Sequence, residues 1–378
     1  MARMNAKGTI QPKTPHELLT CVAQAVATGG PECDLNHLDV SRITDFSYIF
    51  QASPFRGDIS GWDVSNAQMM VRMFQDSDFT GDISRWNVAK VTNMDAMFSG
   101  SQFNGDISQW NTGALTHCTE MFEDSVFNGD ISRWDVSQVT NMGAMFRGSI
   151  FSGNISQWNV TKLRDAASMF HRSAFNGDIS KWNTPSLQNA SRMFKQSAFK
   201  GDLSKWNISS LKNCIEMFAQ AQFNGDLSAW KLDATLLQSM FANSAFRGDL
   251  SSWSLHKGAN AANMFSPDFT GILPRQDEAT KGGYASMLKG EENLLAYLRA
   301  QPFGPVHFYL LAEAMARNNL PEWASDHQVQ WMREYLRIGE GLGLPMEALA
   351  ANARGSYQSP SVSLFENVPF EYQSGVLL

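Results

Sequence analysis

The sequence predicts an α/β solenoid, a stack of ~24-residue coils joined by short parallel strands, with an N-terminal helical cap and a C-terminal helical domain. Three observations predict it. A Gly recurs every 24 residues from Gly57 through Gly81, Gly105, Gly129, Gly153, Gly177 and Gly201 to Gly225, then at Gly248 and Gly271. Trp keeps the same beat from Trp62 to Trp253, as do a Phe two residues before each Gly (Phe55 to Phe269) and Met-Phe pairs from Met73-Phe74 to Met264-Phe265. Helical patterns without this period flank the repeats on both sides.

The unit reads Phe-x-Gly-Asp-Ile-Ser-x-Trp-x-Val, then a polar stretch with Asn, then Met-Phe and a small polar turn. One such coil cannot enclose a core, so each Phe, Ile or Leu, Trp and Met must stack on its copy above and below. The Asp-Ile-Ser run, as at Asp58-Ile59-Ser60, alternates polar and apolar and is too short for a helix, so it is expected to be a strand of a parallel sheet. The Asn-Met-x-x-Met-Phe stretch, as at Asn93 to Phe98, is expected to form a short helical or 3₁₀ turn on the opposite side, with its apolar residues inward.

At the N-terminus, Thr14-Pro15-His16-Glu17 is a helix start with Pro at the first position. Leu18, Leu19, Val22, Ala23 and Val26 mark an apolar face, and Gly29-Gly30 stops it, predicting a cap helix over residues 15–28. Leu35, Leu38, Val40 and Ile43 form a first, degenerate coil. The organisation expected is a cap over 1–34, a solenoid over 35–273, a helical domain over 274–353 and an irregular tail over 354–378. Helices are expected at Glu291 to Ala300, Val306 to Ala316, His327 to Ile338 and Pro345 to Ala353, packed as a small bundle. In the tail, Phe365, Val368, Phe370 and Tyr372 imply contact with another surface. The apolar end, Gly375 to Leu378, is more plainly an accident than a ligand for a carboxylate-binding groove.

Composition narrows the function. The net charge of -7 argues against nucleic acid, which calls for a basic stripe. No apolar run reaches the ~20 residues of a membrane helix. No signal peptide is visible in Met1 to Thr14, so the expected location is secreted or cell-surface by another route, or else cytoplasmic. The four cysteines show no CxxC spacing, so zinc is not expected. Cys118 and Cys214 stand four units apart, ~19 Å at ~4.8 Å per coil, beyond the ~7 Å limit for a disulfide. Pairing of Cys21 with Cys33 in an oxidising compartment stays open.

The repeat resembles that of BspA-like bacterial surface proteins, and is especially similar to the mycoplasma-lipoprotein type, in which WNVSxVTNMxxMFxxSxxFNGDIS recurs. Here Trp86 to Met97 reads WNVAKVTNMDAM and Phe127 to Ser132 reads FNGDIS; the likeness covers Leu35 to Leu273. It implies a right-handed, leucine-rich-repeat-like solenoid with roles in adhesion or host-cell interaction, and it carries over no catalytic residue. Some bacterial leucine-rich-repeat effectors append a ubiquitin ligase with a catalytic Cys, but residues 274–378 contain none.

Several side chains invite a chemical reading. Asp58, Asp82, Asp106, Asp130, Asp178, Asp202, Asp226 and Asp249 recur at one position, with Asn154 interrupting. They form either a cation stripe or a set of turn-capping acceptors, and Asn154, which caps without charge, favours the second. The Ser after each Ile or Leu is expected to share that face, where an identical pair per coil suits a periodic glycan or plain fold maintenance. The residue before each Trp varies: Gly61, Arg85, Gln109, Arg133, Gln157, Lys181, Lys205, Ala229, Ser252. Arg85, Gln109, Arg133, Gln157, Lys181 and Lys205 are therefore the candidate partner-binding residues, set against the alternative of ordinary solvated surface. The Trp column reads as core rather than as sugar-stacking platforms. No nucleophile elbow, P-loop, HExxH or dinucleotide motif occurs. His307 and His327, with Glu313 and Glu322, are the only acid–base candidates in the C-terminal region, and structural roles suit them better.

The reading is a non-enzymatic interaction or adhesion protein that needs no cofactor or metal and binds a protein or glycan on a host or cell surface. The alternatives are a secreted effector with activity in its C-terminal helical domain and a structural component of a larger particle.

Overall fold

A computed structural model describes residues 3–4, 10–255, 258–276, 283–300, 305–316 and scattered positions between 320 and 336. Two-residue strands β1 (Arg3–Met4) and β2 (Ile10–Gln11) pair antiparallel, and Ile10 forms a parallel bridge to Leu38. Helix α1 (Pro15–Gly29) follows. Thr14 Oγ1 accepts the Glu17 N–H, and Glu17 in turn accepts the Lys13 N–H. Leu18 and Val22 bury their side chains in the core.

From Leu35 to Leu273 each copy lies against the next. Trp62, Trp86, Trp110, Trp134, Trp158, Trp182, Trp206, Trp230 and Trp253 are all 4% exposed or less. Successive Phe rings of the Met-Phe column stack at 5.4–5.8 Å, as Phe50–Phe74 and Phe98–Phe122 do. Within a copy, the two Phe rings stack at 4.2–4.7 Å. Each aromatic buries on the order of 150–250 Å², so a copy stripped of its neighbours would expose its whole core.

The pairing between copies is not where the sequence pattern puts it. Asp58-Ile59-Ser60 and its equivalents are not strands. The Ile59 carbonyl already accepts the Trp62 N–H at 3.1 Å and the Trp86 indole N–H at 3.3 Å, and the Asp58 side chain takes the Ser60 N–H. These groups are spent on turns and on tryptophan, so no continuous strand ladder forms here; cross-copy pairing at this position occurs at the two ends of the array, where Leu35 donates to the Asp58 carbonyl and Asp249 bridges to Ile272. Parallel bridges instead run through the Asn position, from Asp45 to Met69, Asn93, His117, Asn141 and onward to Asn260.

The Met-Phe stretch is not helical either. It is a run of turns that pairs sideways. Phe46, Tyr48, Phe50 and Ala52 donate their N–H groups to Met69, Val71, Met73 and Gln75 of the next copy at 2.8–3.0 Å. Met142, Ala144, Phe146 and Gly148 do the same to Asp165, Ala167, Met169 and His171. The intervening residues close i→i−3 turns, as Ile49 does to Phe46. Two residues in each copy but the last hold the left-handed conformation this demands, such as Glu120 (φ 58°) and Asp124 (φ 49°). A left-handed residue at the third turn position swings the next peptide away from the helical path, so alternate N–H groups point along the stack.

The repeating Gly is needed for space. A Cβ at Gly129 would lie 2.9 Å from the Phe127 ring, and one at Gly57 would lie 1.9 Å from the Cys33 carbonyl oxygen.

Strands β3 (Ser254–Leu255) and β4 (Arg275–Gln276) pair in parallel at the last copy. Helices α2 (Gly283–Met287), α3 (Glu291–Ala300) and α4 (Pro305–Ala316) follow. The Ser286 and Met287 carbonyls accept the Asn263 and Phe265 N–H groups. Tyr297 stacks on Phe269 at 6.5 Å and extends the Phe column by one ring. Of the segment His327 to Ile338 only isolated positions are described; Pro345 to Ala353 and the tail lie outside the described residues. No helix among the described residues is long and apolar enough to cross a membrane.

Candidate interaction face

The six residues singled out before Trp, namely Arg85, Gln109, Arg133, Gln157, Lys181 and Lys205, are all exposed. Each sits in the tight turn that the Trp N–H closes onto the Ile or Leu carbonyl three residues earlier. That turn has one outward corner per copy, so the six side chains form a row along the stack. Gln109 and Gln157 donate to the hydroxyls of Ser108 and Ser156. Arg85, Arg133, Lys181 and Lys205 make no ion pair with a described residue.

The exposed Asp row runs beside them. Oδ1 of Asp82, Asp106, Asp130, Asp178, Asp202 and Asp226 accepts the N–H of the Ser two residues on, at 2.8–2.9 Å. Asn154 makes the same bond to Ser156 at 3.0 Å. Turn capping therefore accounts for the row whether or not it is charged. The Ser N–H, then the Ser hydroxyl, and beyond them Arg85, Arg133 and Lys205 hold Asp82, Asp130 and Asp202 below the usual carboxylate range. At Asp178 the Ser180 hydroxyl leads, and Lys181 adds to it. Asp58 and Asp178 work against the shifts of their stacked neighbours Asp82 and Asp202.

These shifts set an acid dependence. A carboxyl whose pKa is lower in the folded chain contributes stability above its unfolded pKa and loses it as the pH falls through the folded value. The melting temperature is accordingly expected to fall below about pH 4 as Asp58, Asp82, Asp130, Asp178, Asp202 and Asp226 protonate. Asp130→Asn keeps the cap and should leave stability within about 0.5 kcal/mol, whereas Asp130→Ala loses the bond and should cost about 1 kcal/mol. Thermal melts across pH check both.

A second variable position, buried at Glu123 and half-buried at Arg147, His171 and Lys195, escaped the sequence reading. In the turn ladder, Glu123, Arg147, His171 and Lys195 occupy one position in four successive copies. Arg147 pairs with Glu123 below it, Lys195 pairs with Glu216 at 2.7 Å, and Arg192 reaches the same carboxylate at 2.5 Å. Burial holds the His171 pKa below the ordinary value, and Lys195, Arg147 and Arg172 push the same way. The signal was available: the residue just after each Met-Phe varies as much as the one before each Trp.

Cys21, Cys33, Cys118 and Cys214 are all free thiols. Cys21 and Cys33 line one cavity of about 520 Å³ between α1 and the first coil, with His37 and Asp34. Burial raises both thiol pKa values. Cys118 and Cys214 are fully enclosed in the core. His307 is buried and bonded through Nε2 to the Leu298 carbonyl at 2.9 Å, a structural arrangement. His327 and Glu322 lie outside the described residues, as does the side chain of Glu313.

Comparison with known families places this repeat. Residues 23–126, 102–198 and 173–270 each match the family described as Mycoplasma protein of unknown function, DUF285. The chain belongs to that family. The three matches overlap in tandem across about two-thirds of the chain, so the DUF285 unit spans several 24-residue copies, and the last match ends at residue 270, ahead of the C-terminal helices. Neither curated proteins nor solved structures yield a match.

Proposed function

We propose that the protein is a non-enzymatic interaction protein whose DUF285 repeats form a leucine-rich-repeat-like solenoid of the BspA-like kind and bind a protein or glycan on a host or cell surface. One observation carries the reading. In every copy the aromatic and aliphatic columns are interior, and side-chain identity is free to vary mainly at outward positions. Six consecutive copies place a hydrogen-bond donor (Arg, Gln, Arg, Gln, Lys, Lys) at one of those positions. A long polar surface of this kind binds through many modest contacts rather than one pocket.

The test replaces Arg85, Gln109, Arg133, Gln157, Lys181 and Lys205 by Ser, the residue a natural copy carries at Ser252. Binding of the labelled full chain to cultured animal cells and to immobilised glycans is measured beside its melting temperature. The expected result is a loss of binding of about tenfold or more, as for removal of several interface donors, with melting unchanged. Equal binding by both chains would remove this row from the function.

A further inference from the structure

The unpaired cations and the Asp row beside them have a geometry that selects a partner. Parallel bridges join the copies in register, through Met69, Asn93, His117, Asn141, Asp165, Asn189 and Asn213. The position before Trp and the Asp position three residues earlier recur in step with those bridges, so the basic row and the Asp row run side by side across six copies.

Two adjacent rows of opposite charge are complementary to themselves. A two-fold rotation about an axis parallel to the stack lays the basic row of one chain on the Asp row of its partner, copy for copy. Arg85 then meets Asp82, Arg133 meets Asp130, Lys181 meets Asp178 and Lys205 meets Asp202. In the copy where Asn154 replaces the Asp, the residue before Trp is also neutral, Gln157, while Asp106 meets the amide of Gln109 rather than a cation. A rotation about an axis crossing the rows would instead lay Asp on Asp, which like-charge repulsion forbids. The positions flanking the strip are largely neutral, with Asn104, Asn128 and Asn176 on one side and Asn87, Asn111 and Asn159 on the other, and Lys200 and Asp135 the charged exceptions.

We infer that this strip is the contact between two copies of the chain, lying side by side and pointing the same way. The inference rests on the proposal that the row is a contact surface and names its occupant. Single exposed ion pairs contribute little, so the assembly depends on four pairs doubled by symmetry and must be sensitive to salt.

Sedimentation of the full chain tests it. At about 0.02 M salt the mass is expected to be roughly twice that seen at about 0.5 M, where charges a few ångströms apart are screened. Changing Arg85, Arg133, Lys181 and Lys205 together to Glu should give a monomer at both salts. Changing Asp82, Asp130, Asp178 and Asp202 to Asn, which keeps each turn cap as Asn154 does, should also give a monomer. Direction is read from Ser84→Cys, near one end of the strip. Oxidation by a copper–phenanthroline complex should join two such chains through Cys at 84 at low salt, with the parent chain as control for Cys21 and Cys33. A parent chain that is monomeric at low salt, a dimer that survives the Glu changes, or a dimer that does not cross-link through position 84 would each overturn the inference. Loss of cell binding in the six-Ser chain alongside a monomeric parent would leave the proposed function standing and remove only the second copy as occupant.

Discussion

Trp158→Ala is expected to destabilise the repeat array by about 3–5 kcal/mol, the cost of truncating a fully packed aromatic. The Trp158 ring is 4% exposed, stacks on Trp182 at 6.4 Å and lies 6.3 Å from Phe146. Its indole N–H donates to the Ile131 carbonyl at 3.1 Å, tying its copy to the one before. Ala removes the ring, the tie and the filling of a space shared by two copies. Because neighbouring copies are coupled mainly through such contacts, the loss should also weaken cooperativity. Denaturant unfolding followed by circular dichroism should show an earlier midpoint and a shallower or two-step transition. Trp158→Phe keeps most of the apolar area and should cost distinctly less. A shift below about 1 kcal/mol for Ala, the level of ordinary surface changes, would contradict the packing described.

The second large effect concerns register. Removing residues 129–152 deletes one whole copy and joins Asn128 to Gly153, so that Phe127 is followed by the same unit it had before. Every column then continues unbroken, and the shortened chain should fold with a somewhat lower melting temperature. Removing residues 129–140 deletes half a copy. Asn141 then takes the place of Gly129, Met142 takes the exposed place of Asp130, and Phe146 takes that of Trp134. The four-rung turn ladder loses its partner at that point. This chain should fail to fold cooperatively, as seen by loss of the near-ultraviolet dichroism of packed aromatics. Equal behaviour of the two deletions would mean that the copies do not depend on alignment with one another.

What was legible in the sequence was whatever repeats in side-chain chemistry. The Trp, Phe, Met and Ile columns are interior because apolar identity recurs at those positions. The N-terminal helix starts where Thr14, Pro15 and Glu17 cap it. Helices α3 and α4 fall on the patterns at Glu291 and Val306. What was hidden was backbone conformation. Asp58-Ile59-Ser60 alternates like a strand, yet the Ile59 carbonyl serves two tryptophans, a use that no alternation pattern records. The left-handed positions are filled by Arg72, Glu120, Ser168 and Arg192 and seldom by Gly, so the residue type that normally marks such a conformation is absent where it would have helped. The row before Trp was found because its variation stands out against fixed neighbours. The turn-ladder position was missed because the stretch that carries it looked like an inward-facing helix.

The stacked arrangement requires every repeat tryptophan to be interior. With Trp323 and Trp331 changed to Phe, all remaining tryptophans belong to the repeats. Quenching of their fluorescence by iodide and acrylamide measures their contact with solvent directly. The stacked-copy account predicts blue-shifted emission, almost no quenching by iodide and weak quenching by acrylamide until the chain is unfolded. Emission near that of free indole, with quenching as strong in the native chain as in denaturant, would contradict it.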